Sequence, residues 1–406
     1  MIHLNPFAAI RPQTSLAAAV AARPYDVLNS QEASEEAQGN PHSFLHVTKA
    51  EIDLPAGTDI HSEAVYEKAK ENLDALIRKE VLFQEDKPCY YIYELVMNGR
   101  SQTGLVALSS VDDYNHDRIK KHEFTRPEKE KDRIDHMRTI RAQTGNVFLA
   151  YRDVNDMDVL VADWKKTHSP IYDFTADDGI EHRVWVVDMR ETVDRITSIF
   201  AEQVPATYIA DGHHRAASAA KVSTQLPDSA AAKFFLTTLF PANQLAILDY
   251  NRVVKDLNGH SESNLLRALE SDFVVTRETE SVRPSTLHEF GMYLNKNWYR
   301  LQAKAGTWTE DPIGVLDVSI LSARVLDKLL GVQDQRTDKR VDFVGGIRGL
   351  GELEKRVDSG DMAVAFSLYP VSIHQLFDIA DSGSVMPPKS TWFEPKLRDG
   401  LLTHRI

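Results

Sequence analysis

The sequence predicts an α+β protein. Strand-like and helix-like patterns alternate along the chain, a hairpin signal stands between two apolar runs, and a short apolar strand runs straight into a helix of small residues. At 406 residues and 42% hydrophobic content there is material for a sizeable core and for two or three domains. Residues 63–79 place Val65, Ala69, Leu73 and Leu76 at helical spacing. Residues 89–97 are rich in Tyr, Ile and Val and read as a strand; Asn98-Gly99 marks a hairpin turn, and residues 102–108 form the return strand. Thr125-Arg126-Pro127-Glu128 has the spacing of a capping box, with Thr125 as N-cap, and predicts a helix to about Gln143 that stops at Gly145. Strands follow at 146–152 and 184–188, a helix at 191–202, and a strand at 207–210 that leads to a helix from Ala216. After about residue 225 the pattern reads as a second α/β unit. Its strands lie near 234–239, 273–276 and 363–368, and its helix over 319–330. The expected division is therefore 1–110, 111–225 and 226–406, the last with an ordered basic tail.

Composition excludes several classes. A formal net charge of -13 repels nucleic acid. The one basic run, Lys120, Lys121, Arg126, Lys129, Lys131 and Arg133, is interrupted by Glu123, Glu128, Glu130 and Asp132. No apolar stretch approaches the ~20 residues of a membrane span, and residues 16–22 read as a helix or loop packed on the body rather than an export signal. A lone cysteine, Cys89, allows no intrachain disulfide and no CxxC metal site. A cytoplasmic protein is expected, with a small molecule and a nucleotide as partners and neither nucleic acid nor membrane.

The strongest chemical signal is Asp211-Gly212-His213-His214-Arg215 between strand and helix. A helix N-terminus offers unpaired N–H groups and a partial positive charge, which suit phosphate. Gly212 lets the backbone approach a ligand, Arg215 offers a planar fork for phosphate oxygens, His213 and His214 add donors, and Asp211 can hold Mg2+ or orient a histidine. The competing readings are a structural turn with core histidines, and zinc ligation. His122-Glu123 lies before the capped helix. There the helix field stabilises a carboxylate as the anion, so Glu123 is either a general base or a helix-end charge. Lys389, Ser390, Thr391 and Lys396 in the tail read equally as phosphate or carboxylate ligands and as a charged terminus. Arg23, Tyr25 and Asp26 read as substrate contacts or a structural turn. Asp132 and His136 share a helix face, and Gly345, Gly346, Gly349 and Gly351 read as a turn.

These pieces together resemble a known bacterial family, the domain of unknown function 1015. The resemblance rests on Arg23-Pro24-Tyr25-Asp26-Val27-Leu28, Asn40-Pro41, His122-Glu123 with Asp132-Arg133, Asp211 to Arg215, and Met386 to Thr391 with Pro395-Lys396. Residues 111–225 resemble the ParB/sulfiredoxin superfamily, in which a Gly-x-His-Arg turn holds nucleotide phosphates. The form Asp-Gly-His-His-Arg with an upstream His-Glu is most similar to the free L-serine kinases. The resemblance implies ATP or ADP as phosphoryl donor with Mg2+, free L-serine as acceptor, Glu123 and Asp211 as catalytic residues, and Gly212 to Arg215 as the phosphate turn. It leaves a non-enzymatic, ParB-like nucleotide-binding regulator as the alternative. Sulfiredoxin chemistry needs a cysteine in the turn, where this chain has His213.

Overall fold

The hairpin signalled by Asn98-Gly99 lies in the middle of a nine-stranded mixed sheet. The computed structural model describes residues 1–406 and divides them into two units, Met1–Leu245 with Pro395–Ile406, and Ala246–Glu394. No helix is long and apolar enough to cross a membrane.

In the first unit the principal elements, in chain order, are β1 (Leu4–Asn5), α1 (Glu63–Arg78), β2 (Tyr90–Met97), β3 (Arg100–Ser110), β4 (Ile119–Lys120), α2 (Pro127–Ile140) and β5 (Val147–Tyr151). They continue with α3 (Asn155–Thr167), β6 (Tyr172–Thr175), β7 (Glu181–Val187), α4 (Arg190–Gln203), β8 (Thr207–Asp211), α5 (His213–Gln225) and β9 (Phe234–Pro241). The strand order is β4-β8-β5-β9-β3-β2-β7-β6, with β1 antiparallel to β3. β8 with β4 and β9 with β5 are parallel; the other neighbours are antiparallel. The registers set Ile92, Leu105, Leu239, Leu149 and Ile209 side by side across five strands, all buried. They meet Met157 and Trp164 of α3, Ile196, Ile199 and Phe200 of α4, and Ala216, Ala219 and Ala220 of α5 in one core. The alanines let α5 pack closely, so its N-terminus is fixed by burial rather than by a capping side chain.

Residues 395–406 return to this unit. Asp399 exchanges backbone hydrogen bonds with Ala22 at 2.9 and 3.1 Å, Thr403 with Ile10 at 2.9 Å, and residues 404–405 pair with Ala142–Gln143.

The second unit has its own six-stranded antiparallel sheet. Its strands are β10 (Tyr250–Val254), β11 (Phe273–Glu278), β12 (Glu289–Leu294), β13 (Asn297–Ala303), β14 (Val341–Gly345) and β15 (Val364–Leu368), in the order β11-β13-β12-β15-β10-β14. Val253, Tyr293, Trp298, Val344, Leu353 and Ala365 are part of its core.

The α+β class holds, with four corrections to the elements expected. The 234–241 segment is not part of the second unit; it pairs with β3 and β5. The helix expected at 125–143 runs from Pro127 to Ile140. Its N-cap is Arg126 without a side-chain bond, because the Thr125 hydroxyl donates to Glu130 instead. It ends at Arg141, left-handed with φ 56°, before the short pairing with the C-terminus. The helix of small residues begins at His213, not Ala216, and the helix expected over 319–330 is a short α-turn, Asp317–Leu321, continued as a π-helix over Ser322–Asp327. The large sheet takes strands from either side of residues 110 and 225, where the sequence suggested boundaries.

Candidate functional site

The turn after β8 is prepared by the strand itself. The register against β5 slips between Ile209 and Asp211, a bulge that re-aims the last strand residue. Gly212 follows with φ 96° and caps α5. A Cβ there would strain the backbone and stand 3.0 Å from Arg215 Nε, so glycine is required twice over. As at any helix start, the first backbone N–H groups have no partner within the helix, which makes this turn a candidate anion cradle.

Beneath the turn lies a charge cluster. Arg215 is 9% exposed. Its guanidinium donates to the Asn146 carbonyl and lies 3.8 Å from an Asp26 oxygen and 3.7 Å from an Asp211 oxygen, while its Nε has no partner. Burial opposes the charge, but Asp26 and Asp211 outweigh it and hold Arg215 protonated. Asp211 also accepts from the Lys396 ammonium at 3.0 Å. Burial raises the Asp211 carboxyl, but Lys396 and Arg215 pull it down well below the usual carboxylate range. Asp399 is 2% exposed, and its Oδ2 has no partner. Burial pushes its carboxyl up to about 7, with Arg215 pulling the other way. Gly145 leaves room for both; a Cβ would stand 3.2 Å from Arg215 Cδ and 3.5 Å from Asp399 Oδ1.

The two turn histidines hold the His122–Arg126 segment rather than facing outward. His213 Nε2 accepts the His122 backbone N–H at 3.4 Å, and His214 Nε2 accepts the Arg126 N–H at 3.0 Å. Both bonds require the neutral ring with its proton on Nδ1. Burial favours that form, lowering His214 and holding His213 well below its usual value. His213 Nδ1 then points its proton toward Glu123, whose Oε2 is 3.7 Å away. Glu123 is the exposed member of the set, with 45% of its side chain accessible. It stands three residues before the N-cap, outside the first turn where the helix field acts, and His213 is one of its neighbours. His122 packs edge-on against His213 at 4.5 Å, and burial lowers it to about 4.

Of the remaining candidates, Tyr25 lies against the Arg133 guanidinium at 3.9 Å, and burial pushes its hydroxyl up to about 12. Arg23 is bound to Glu36 with 44% of its side chain exposed. Lys389, Ser390 and Thr391 belong to the second unit, where Lys389 Nζ lies 5.8 Å from the Tyr250 ring centre and Ser390 donates to the Pro387 carbonyl at 2.7 Å. Asp132 and His136 are structural. Asp132 accepts from His61, Tyr66 and Arg133, and buried His136 bonds the Val47 carbonyl. Sequence reasoning missed Asp399, Gly145 and Asn146. Only the nearness of Asp399 to Lys396 in sequence could have drawn attention to it.

No group of three or more His, Cys, Asp or Glu side chains could hold a metal ion on its own. Mg2+ needs less when it arrives on phosphates, commonly one or two carboxylates. Asp211, at the end of the strand, fits as the protein's contribution to such an ion.

No curated protein matches the chain. Among solved structures, a free serine kinase in complex with AMP aligns at 11% identity and a TM-score of 0.37, covering 74% of this chain and 91% of that one. SbnI with a C-terminal truncation from Staphylococcus aureus aligns at 11% and 0.37, covering 74% and 87%. A conserved hypothetical protein from Pyrococcus furiosus aligns at 13% and 0.35, covering 74% and 94%. Residues 4–319 match the model of the family described as protein of unknown function DUF1015, and the chain belongs to that family.

Proposed function

We propose that the protein is a nucleotide-dependent kinase of a small hydroxyl compound, with free L-serine as the first acceptor to test. One observation carries the reading. Glu123 and the Asp211–Arg215 turn, distant in sequence, come together through His213, with Glu123 Oε2 3.7 Å from His213 Nδ1. A base beside an anion cradle is what phosphoryl transfer to a hydroxyl needs, since that reaction depends on positioning and charge neutralisation.

In this reading the backbone N–H groups at the start of α5 and the Lys396 ammonium receive the phosphates. Arg215 supplies positive potential from beneath and holds Asp211 and Asp26 in place. Mg2+ bound to the nucleotide would neutralise charge developing on the phosphates, with Asp211 as its protein ligand. Glu123 takes the proton of the acceptor hydroxyl as its oxygen bonds to phosphorus and the bridging P–O bond breaks. The nucleotide leaves with one phosphate fewer, and the exposed carboxyl returns its proton to water. Neutral His213 turns its Nδ1 proton toward Glu123, 3.7 Å from Oε2. The roles of Lys389, Ser390, Thr391, Arg23 and Tyr25 as further phosphate or substrate contacts, a ParB/sulfiredoxin-like identity for residues 111–225, and a cytoplasmic location belong to the same reading.

The test is nucleotide consumption by the purified chain with Mg2+ and ATP, ADP or CTP, against a panel of amino acids and small alcohols. The expected result is turnover that depends on one acceptor and yields its phosphate ester. Tight nucleotide binding with no acceptor-dependent turnover would replace the kinase with a nucleotide-binding regulator.

A further inference from the structure

A cavity of about 400 Å³ opens elsewhere in the first unit, lined by Thr103, Leu105, Tyr151, Asp158, Val161 and Lys165 among others. None of its lining residues belongs to the phosphate turn, and its volume falls within the range of small-molecule sites. Three features mark it as built for a ligand. The first is Tyr151, a side chain of the lining that is 2% exposed and whose hydroxyl lies in the field of Asp158 and Asp153.

The second feature is a separation of charge along α3. Asp158, Val161, Ala162 and Lys165 share one face of the helix, and Asp158 and Lys165 stand two turns apart, roughly 10 Å along the axis. The Asp158 carboxylate accepts one hydrogen bond, from Asn243 at 3.0 Å, and keeps acceptor capacity. The Lys165 ammonium donates to Glu94 and, at 3.0 Å, to Thr103, which leaves its third proton. Glu94 is 6% exposed and also bound by Ser101 and Arg183, so this end of the cavity is rigid. The third feature is the wall between the two ends, formed by Leu105, Met157, Val161 and Pro241.

A negative group at one end, a cation at the other and an apolar wall between them fit a zwitterion whose charges lie about 10 Å apart. An α-amino acid is too short. Two or three extended peptide units span roughly 7–11 Å. We propose that this cavity binds a short apolar peptide of two or three residues, with its amino terminus at Asp158 and Tyr151 and its carboxylate at Lys165.

The experiment is calorimetric titration of the full chain with alanyl-leucyl-alanine, its N-acetyl and C-amide forms, and free leucine. The proposal expects saturable binding of the free tripeptide, at least tenfold weaker binding when either end is blocked, and none of leucine. Asp158→Asn should weaken the free tripeptide tenfold or more and leave the acetylated form unchanged. Val161→Trp, checked for folding by circular dichroism, should abolish binding by filling the cavity. No heat from the free tripeptide at millimolar concentration, equal affinity for free and blocked forms, or an unaffected Asp158→Asn protein would each overturn it.

Discussion

Arg215 lies under the Asp211–Gly212 turn with its guanidinium on the Asn146 carbonyl and its Nε opposite the space a Gly212 Cβ would take. A buried cation facing Asp26 and Asp211 is worth more as a brace than as a ligand. Removing one partner of a buried charge set costs about 3–5 kcal/mol, because the others are left uncompensated. Arg215→Ala is therefore expected to lower the stability of the first unit by that order in urea unfolding, and to weaken nucleotide binding only as a consequence. A variant of wild-type stability with weakened binding would return Arg215 to direct phosphate contact. Asp399 gives the pH counterpart. Its carboxyl rises from 3.8 to about 7 on folding, so its contribution favours the folded state fully below pH 3.8 and is lost as pH rises through 7. Against Asp399→Asn, wild-type stability should fall by up to ~4 kcal/mol between pH 4 and 8; a difference constant with pH would contradict the assignment. Residue types at the site were readable because Asp, Gly, His and Arg at a strand–helix junction have few other uses. Their orientation was not, because whether a fork faces solvent or core depends on Gly145, Asn146 and Asp399, residues distant in sequence.

At the scale of elements, the segment 395–406 is where the local reading and the structure part most. The tail 385–406, with Lys389, Ser390, Thr391 and Lys396, reads from its composition as a segment folded back over the site that most of the fold can spare. Instead Leu397, Leu401 and Leu402 are at most 5% exposed, and the backbone pairs with residues 10, 22 and 142–143. Burial of three leucines at ~1.5–3 kcal/mol each approaches the whole stability of a typical domain. Deleting residues 395–406 should therefore unfold the first unit rather than merely silence the site, as loss of the near-ultraviolet circular dichroism would show. A soluble truncated chain with that signal intact would refute it. Helices α1 and α4 and the β2–β3 hairpin were legible because each carries its own period and turn residues. The cap at Thr125 was not, since the nearby Glu130 competes for its hydroxyl.

For the whole molecule, pattern reading yields elements but not their partners. β9 looks like any other apolar strand, and only pairing with β3 and β5 assigns it to the first sheet. The same holds for the second unit, which stands as an insertion between Leu245 and Pro395. The class and the strand-to-helix junction at Asp211–His213 depend on local sequence; sheet order and the return of the C-terminus depend on long-range register. The central claim, a base set beside a phosphate cradle, is tested most directly on one substitution. Glu123→Gln keeps size and polarity but removes basicity. Nucleotide affinity and acceptor-dependent turnover should be measured on the same preparation. The account predicts turnover lowered roughly 10²–10⁴-fold with nucleotide affinity unchanged or slightly higher. Wild-type turnover in the variant, or loss of nucleotide binding together with activity, would contradict it.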